Sequence, residues 1–220
     1  MPESSNPDRF ARHSGPGPRT DWVAWHEAYD SPTGSLTRRL ERVRVRLDGV
    51  LRAAPSAPTV LSLCAGDGRD LLGAELARRP RRAVLVELDP DLASRAAEAA
   101  APHDWAEVRC ADATDVVAFA DVVPVDVLML CGVLGNVDPD DVEHIARRCA
   151  GLVKPGGVVI WTRGGGDPDL RPDARAAFVA AGYEELAFDG SDDVFGVGVS
   201  WLVEPAPAPR PGDTLFEFVR

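Results

Sequence analysis

The sequence Val60-Leu-Ser-Leu-Cys-Ala-Gly-Asp-Gly-Arg-Asp70 decides the fold of this chain. Its apolar run leads directly into a loop containing Gly66 and Gly68, and a helical pattern follows. Glycines in such a loop let a ligand approach the backbone, and the N-terminus of the next helix favours negative charge. The stretch is therefore typical of a strand, loop and helix that bind a ligand, although the same glycines also suit an ordinary tight turn.

Short apolar runs alternate with helical patterns after this stretch. The predicted strands are Val60–Cys64, Ala83–Leu88, Glu107–Cys110, Val125–Cys131 and Gly157–Thr162. The predicted helices are Asp70–Arg79, Pro90–Ala101, Pro139–Leu152 and one from about Pro172 to Gly182. Strands that are apolar throughout and alternate with helices indicate a parallel sheet covered on both faces. We therefore predict an α/β fold with a doubly wound, mostly parallel, Rossmann-like sheet.

The two ends of the chain follow different patterns. Glu184–Phe188, Val194–Val203 and Thr214–Val219 read as strands without helices between them, which predicts antiparallel C-terminal strands. The first residues, 1–20, are rich in Pro, Gly, Ser and charge, which predicts a disordered tail. We expect residues 21–57 to form an N-terminal helical cover or lid, and residues 58–220 to form the α/β domain.

Composition limits the classes of partner. The 220 residues contain 35 acidic and 24 basic side chains, a net charge of −11, and such a surface repels the phosphate backbone of nucleic acids. No apolar stretch approaches the roughly 20 residues of a membrane span. The four cysteines lie far apart, which favours a reducing compartment and no metal site. We expect a cytoplasmic protein with a small-molecule partner, and we leave a homodimer open.

Acidic side chains end or follow the next two predicted strands. Glu87 lies 21 residues after Gly66, where doubly wound folds place an acid on ribose hydroxyls. Asp112 lies just past the strand that ends at Cys110, where it could accept a hydrogen bond from an adenine amino group. The glycine loop, Glu87 and Asp112 together predict a site for an adenosine-containing cofactor.

The chain resembles the class I S-adenosylmethionine-dependent methyltransferases. The resemblance rests on the order LSLCAGDGRD, LVELDP, CADA, DVLMLCGVLGNV and LVKPGGVVIWTR, from about Thr59 to Thr162, and continues more loosely to Arg220. It is closest to a group of bacterial methyltransferases that share the Leu-Cys-Ala-Gly-x-Gly-Arg-Asp loop. The resemblance implies S-adenosylmethionine as cofactor and transfer of its methyl group to a nitrogen or oxygen of a small molecule.

The resemblance also implies roles for individual residues. It places Cys64, Ala65, Gly66, Asp67 and Gly68 along the methionine part of the cofactor. It places Glu87 on the ribose diol, Leu88 against the adenine, and Asp112 and Ala113 at the adenine edge. Cys131 and Gly132 would line the pocket wall. Two positions depart from the family pattern, because Ser62 replaces the usual acid and Cys64 a usual glycine. Asp67 or Asp70 could compensate for the acid, and Arg69 could orient the methionine carboxylate.

The candidates for catalysis and acceptor binding come from three segments. Trp22, Trp25 and Tyr29 share one helical face, which could cover the cofactor or simply pack on the core. The catalytic candidates are Asn136, Tyr29 and His26, and the substrate-binding candidates are Trp25 and Arg163. Asn136 falls where related small-molecule methyltransferases carry a polar residue, and a helix cap is its alternative. Arg163 ends the fifth strand and could clamp an anionic substrate group, unless it is a surface charge.

Three other functions remain open from the sequence. A nicotinamide-dependent oxidoreductase would want a third glycine where this chain has Leu71. An aminopropyl transferase would carry an acid-rich segment after the fourth strand, where this chain has Cys131-Gly-Val-Leu-Gly-Asn136. A cofactor-binding protein without catalysis is suggested by Ser62 and by the lack of an obvious base.

Overall fold

A computed structural model describes residues 21–190 and 194–219, and the tail predicted for residues 1–20 lies outside these described residues. The strands are β1 (Thr59–Leu63), β2 (Arg82–Glu87), β3 (Ala106–Cys110), β4 (Val125–Leu130), β5 (Val153–Gly164), β6 (Tyr183–Asp189) and β7 (Phe195–Leu202). They form one seven-stranded sheet in the order β3-β2-β1-β4-β5-β7-β6. Strands β1 to β5 pair in parallel, and β7 pairs antiparallel with both β5 and β6. The predicted fold class is confirmed.

Six α-helices accompany the sheet in the described part of the chain. They are α1 (Trp22–His26), α2 (Ser35–Ala53), α3 (Arg69–Leu72), α4 (Pro90–Ala100), α5 (Val142–Ala150) and α6 (Arg171–Ala180). Helix α4 begins where its sequence predicts, because the Asp89 carboxylate accepts hydrogen bonds from two backbone N–H groups of the first turn and Pro90 follows it. None of the helices within residues 21–190 and 194–219 has the length and apolarity needed to cross a membrane.

Helices cover both faces of the sheet. On one face, Val43 and Leu47 of α2 are fully buried in the same cluster as Leu85 of β2, so α2 shares its core with the sheet. On the other face, Trp161 of β5 stacks on Phe178 of α6, with ring centroids 5.1 Å apart. Neighbouring apolar residues of β1, β2, β4 and β5 alternate between the two clusters, as side chains on a pleated strand must.

The predicted strand Thr214–Val219 is wrong. This segment, the C-terminal strap, crosses the loops that follow β3 and β4 and makes only isolated bridges with them. The backbone N–H groups of Leu215 and Val219 donate to the carbonyl oxygens of Thr114 and Asn136, at 2.9 and 2.8 Å. The Leu215 side chain is fully buried. The strap therefore fixes the two loops in relation to each other.

The predicted helix Asp70–Arg79 is also wrong in its length. Helix α3 ends at Leu72, and Gly73 follows it as the C-terminal cap. Glycine disfavours helix propagation by about 1 kcal/mol relative to alanine. A Cβ at Gly73 would also overlap the guanidinium of Arg44, which reaches across from α2. Residues 74–79 leave α3 in an irregular turn.

Candidate functional site

The loop after β1 turns sharply into α3. Cys64, Gly66 and Gly68 all have left-handed backbone conformations, with φ of 54°, 58° and 75°. Among the described residues, Cys64 is the only non-glycine residue with positive φ. Such a conformation costs an L-residue about 1–2 kcal/mol. A glycine at position 64 would avoid this cost.

Glu87 at the end of β2 holds this loop. One carboxylate oxygen accepts from the N–H of Gly66 at 2.7 Å, and the other accepts from the N–H of Asp89 at 2.9 Å. The side chain is buried, so its position is fixed. Each carboxylate oxygen can accept a second hydrogen bond. Glu87 is therefore placed beside the glycine loop with capacity left for a hydroxyl-bearing ligand.

The loops after β2 and β3 continue the site at the same edge of the sheet. Leu88 has a side chain that is 61% exposed, which is unusual for a leucine next to a buried strand. Asp112 is exposed and Ala113 is buried beside it. Burial and the charges of Glu87 and Asp112 raise the pKa of the Cys64 thiol, which stays neutral. The edge thus offers an open apolar side chain and an open carboxylate, as an adenine ring requires.

Helix α1 covers the glycine loop from the other side. A Cβ on Gly66 would overlap the imidazole of His26, so the absence of a side chain lets His26 lie on the loop. Nδ1 of His26 is 2.7 Å from the carbonyl oxygen of Trp22. A carbonyl only accepts, so we assign the proton of the neutral ring to Nδ1, which leaves Nε2 with a free lone pair toward the loop. The Trp25 ring packs against both His26 and Tyr29, with centroids 5.2 and 5.7 Å away.

A buried arginine lies at the junction of this cover and the sheet. Arg39 of α2 is 5% exposed and donates to the hydroxyl of Tyr29. Its other contacts are long, 3.5 Å to the Asp70 carboxylate and 3.4 Å to the Thr162 hydroxyl. Its Nε is buried and has no hydrogen-bond partner within the described residues. A cation with one loose ion pair and an unsatisfied donor is suited to an anionic group of a ligand.

The sequence analysis missed Arg39, although a signal was present. The residue falls on the apolar stripe of α2, between Leu36 and Val43, where an arginine must be buried. A charge at a core position of an amphipathic helix needs a partner, and this is a reason to suspect a site.

Arg69 is used differently from its predicted role. Its Nε donates to both carboxylate oxygens of Asp67, at 2.9 and 2.8 Å, and its guanidinium lies 4.5 Å from the centroid of the Tyr29 ring. Burial opposes ionisation of Asp67, but these hydrogen bonds outweigh it and lower the pKa of its carboxyl group. The charge of Arg69 is therefore already matched, whereas that of Arg39 is not fully matched.

Two of the polar side chains in this region are poor bases. Burial raises the pKa of Tyr29 above its ordinary value in spite of the charge of Arg39, so the phenol stays protonated. Burial, with the charge of Asp70, also raises the pKa of Cys131. The next residue, Gly132, donates its N–H to the Thr162 hydroxyl at 2.8 Å. Tyr29 can donate or accept a hydrogen bond here, but it does not suit proton abstraction.

The structure does not bring Arg163 to this group. Thr162 and Arg163 are consecutive on β5, so their side chains point to opposite faces, and only Thr162 contacts Arg39. Arg163 is buried and donates to the carbonyl of Leu134. Burial lowers the pKa of Arg163, and the nearby charge of Asp173 opposes this effect. The prediction was an accessible arginine that binds an anionic group in the acceptor pocket. Arg163 is instead buried and supports the loop after β4.

Asn136 belongs to that same loop. Its side-chain amide donates to the carbonyl of Gly132 at 2.6 Å, and its own N–H donates to the carbonyl of Val133 at 2.9 Å. These bonds close a turn at the carboxyl end of β4. The amide of Asn136 thus shapes the wall of the site, in place of the helix cap that was its alternative.

Residues 63–161 match the family described as methyltransferase domain. No curated protein sequence matches the chain. Among solved structures, the N-methyltransferase NodS from Bradyrhizobium japonicum WM9 is 15% identical, with a TM-score of 0.58 over 80% of this chain and 99% of that one. The 1,6-didemethyltoxoflavin-N1-methyltransferase from Burkholderia thailandensis, with bound 1,6-didemethyltoxoflavin and S-adenosylhomocysteine, is 15% identical, with a TM-score of 0.58 over 83% and 87%.

A third similar structure is an O-methyltransferase family 2 protein from Planctomyces limnophilus DSM 3776 in complex with apigenin. It is 16% identical, with a TM-score of 0.60 over 86% of this chain and 63% of that one. At identities this low, the three structures show only that the fold is shared. The family match concerns residues 63–161 alone. Residues 63–161 therefore match a methyltransferase domain, and the chain shares the fold of these three proteins.

Proposed function

We propose that this protein transfers a methyl group from S-adenosylmethionine to a nitrogen or oxygen of a small molecule. The observation that carries the proposal is the Glu87 carboxylate, which is held on the Gly66 N–H while Leu88 and Asp112 stay open beside it. When bound, the cofactor supplies an electrophilic methyl group on a sulfonium. The protein supplies alignment for an in-line displacement and a base where the acceptor must lose a proton.

Four groups of the described residues are proposed to contact the cofactor. The proposed contacts are Glu87 with the ribose diol, Leu88, Asp112 and Ala113 with the adenine, Cys64 to Gly68 with the methionine chain, and Cys131 and Gly132 with the pocket wall. We assign the methionine carboxylate to Arg39 in place of Arg69, because Arg39 has the unsatisfied donor. Asp70 is 14% exposed and lies beside Arg39, so it is our replacement for the acid absent at Ser62.

His26 is our candidate for the base. Its Nδ1 proton is used by the Trp22 carbonyl, and its Nε2 lone pair faces the loop along which the cofactor would lie. A positioned base of this kind contributes about 10²–10⁴-fold to a rate. Trp25 and Tyr29 pack around His26, so an acceptor that reaches Nε2 would be enclosed by aromatic rings. An enclosed site and a net charge of −11 favour a small molecule over a nucleic acid.

Calorimetry tests the proposal at the level of the cofactor. We expect S-adenosylhomocysteine to bind with a micromolar-range dissociation constant and NAD not to bind, because the loop, Glu87 and Asp112 suit an adenosine while Leu71 takes the place of the third glycine of a dinucleotide loop. Binding of NAD without binding of S-adenosylhomocysteine would contradict the proposal. A mass spectrum of co-purifying ligands, followed by methyl-transfer assays on the small-molecule fraction of a cell extract, tests the acceptor class.

A further inference from the structure

A groove separate from Glu87 and Asp112 lies between α2, α3 and α4. Its volume is about 340 Å³, and three arginines line it, one from each helix: Arg44, Arg69 and Arg95. Asp67 is the only carboxylate among its lining residues. Cavities of about 300–1,000 Å³ are typical of small-molecule sites. The groove is thus large enough for a metabolite.

The groove carries an excess of positive charge. The carboxylate of Asp67 is neutralised by Arg69, which leaves the charges of Arg44 and Arg95. Arg44 donates from Nε and Nη2 to the carbonyl oxygen of Arg69, at 3.1 and 2.8 Å, and this partner is uncharged. Arg95 is exposed and makes no hydrogen bond or ion pair with any residue that the structure describes. Two unneutralised guanidinium groups thus face one hollow in a chain whose net charge is −11.

The floor of the groove depends on Gly73. A Cβ at this position would overlap Nη2 of Arg44, so the missing side chain lets the guanidinium lie along the end of α3. The φ of Gly73 is −90°, a conformation open to any residue, so glycine is not needed there for backbone reasons. The glycine therefore makes room for the Arg44 guanidinium in the groove.

We propose that this groove binds the phosphate group of a phosphorylated small molecule. Guanidinium groups present planar pairs of N–H donors that match phosphate oxygens, and such charge-assisted bonds are strong. Two unneutralised guanidinium groups balance a phosphate monoester dianion. The groove shares Asp67 with the proposed cofactor loop, but neither Arg44 nor Arg95 is assigned to the cofactor, so the proposal does not rest on methyl transfer.

Titration calorimetry at low ionic strength, with glycerol 3-phosphate and inorganic phosphate as probes, tests the site. We expect the full-length protein to bind, and Arg95→Gln to weaken binding by about fivefold, as expected for one exposed charge pair. The double variant with Arg44→Gln should lose binding. Gly73→Ala keeps every charge but displaces Arg44, and it should also weaken binding. Tighter binding of the monoester identifies an organic phosphate as ligand, and equal binding identifies free phosphate.

The matched control is Arg79→Gln. Arg79 is an exposed arginine outside the groove, without a hydrogen bond or ion pair in the described part of the chain. It should bind both probes like the unmodified protein. The proposal is overturned if neither probe binds, if Arg79→Gln loses as much affinity as Arg95→Gln, or if saturating S-adenosylhomocysteine displaces the probe. Failure of S-adenosylhomocysteine to bind would instead count against the cofactor assignment alone.

Discussion

At the level of single residues, Glu87 contacts both the loop after β1 and the turn after β2. Its two carboxylate oxygens accept from Gly66 and Asp89, so one side chain sets the distance between two segments of the site. A neutral side chain of the same length cannot accept on both sides, because the amide nitrogen of a glutamine only donates. The position therefore combines support of the loop with the ribose contact that we propose for it.

Glu87→Ala is expected to weaken S-adenosylhomocysteine binding more than removal of any other single carboxylate. Each charge-assisted bond to the ribose diol contributes about 1.5–3 kcal/mol, so the loss should reach at least about tenfold. Calorimetry measures it, and Glu87→Gln should fall in between. The control is Asp89→Ala, which removes the N-terminal cap of α4 and should lower stability more than affinity. The assignment of the ribose contact would be wrong by two residues if the Glu87→Ala protein bound normally and the Asp89→Ala protein did not.

Residue spacing could predict the part of the site that lies at strand ends. Gly66, Glu87 and Asp112 follow consecutive parallel strands, and such positions must meet at one edge of the sheet. Arg39 could not be found this way, because its partner Thr162 lies 123 residues away and the contact depends on how α2 packs. Arg163 was misread for a related reason, since the face of a strand on which a residue lies depends on register.

At the level of elements, α1 is the least anchored helix of the described chain. None of its five residues is buried, whereas Tyr29 in the turn that follows is buried. The core of α2 does not depend on α1, because Val43, Leu47 and Leu51 pack directly on the sheet. The segment can therefore move or be removed with little loss of core burial.

Deleting residues up to Ser31 should leave the sheet folded and abolish methyl transfer. The deletion removes His26, Trp25 and Tyr29 together, and with them the proposed base and aromatic cover. Circular dichroism should show retained secondary structure, and calorimetry should show retained binding of S-adenosylhomocysteine. Tyr29→Phe is the matched variant, because it keeps the ring and loses only the hydroxyl bonded to Arg39. Normal turnover by the truncated protein would show that the acceptor binds elsewhere and that the aromatic segment only packs on the core.

The elements that the sequence mispredicted are those whose partners are distant. Thr214–Val219 has the alternation of a strand, but its N–H groups bond to two loops, so no ladder forms. Helix α3 was predicted too long because a single glycine does not by itself end a helix. The contact of Gly73 with the Arg44 guanidinium cannot be predicted from the sequence. By contrast, the parallel strands β1 and β2 are buried along nearly their whole length and are mostly apolar, and this pattern does not depend on any distant contact.

At the level of the whole molecule, the ion pair between Arg46 and Asp189 joins α2 to β6 at the edge of the sheet. Arg46 donates to the two carboxylate oxygens of Asp189, at 2.6 and 2.5 Å. The Arg46 hydrogen bonds hold the pKa of Asp189 below its ordinary value, while partial burial opposes them. A carboxyl group with a depressed pKa in the folded state stabilises that state above its unfolded pKa, and this contribution is lost as pH falls through the folded pKa.

Asp189→Asn should lower the free energy of unfolding near neutral pH by about 0.5 kcal/mol, since both groups are about one-third exposed. The difference from the unmodified protein should shrink as pH falls below about 4, the usual range of an unfolded aspartate. Urea unfolding at several pH values measures it. Arg46→Gln should reproduce the effect, and the double variant should be no worse than either single one. A difference that stays constant down to low pH would show that the ion pair does not stabilise the fold.

The C-terminal strap has a consequence for how this protein can diversify. Enzymes of one fold commonly gain new substrates through insertions in the loops at the functional edge. Here the carbonyl groups of Thr114 and Asn136 are both bonded to the strap, so an insertion after β3 or β4 would have to preserve two hydrogen bonds and the burial of Leu215. The loop after β5 and the segment before α2 carry no such restraint from the strap. Relatives with different acceptors should therefore vary in length at these two places, and an engineer who wants a new acceptor should begin there.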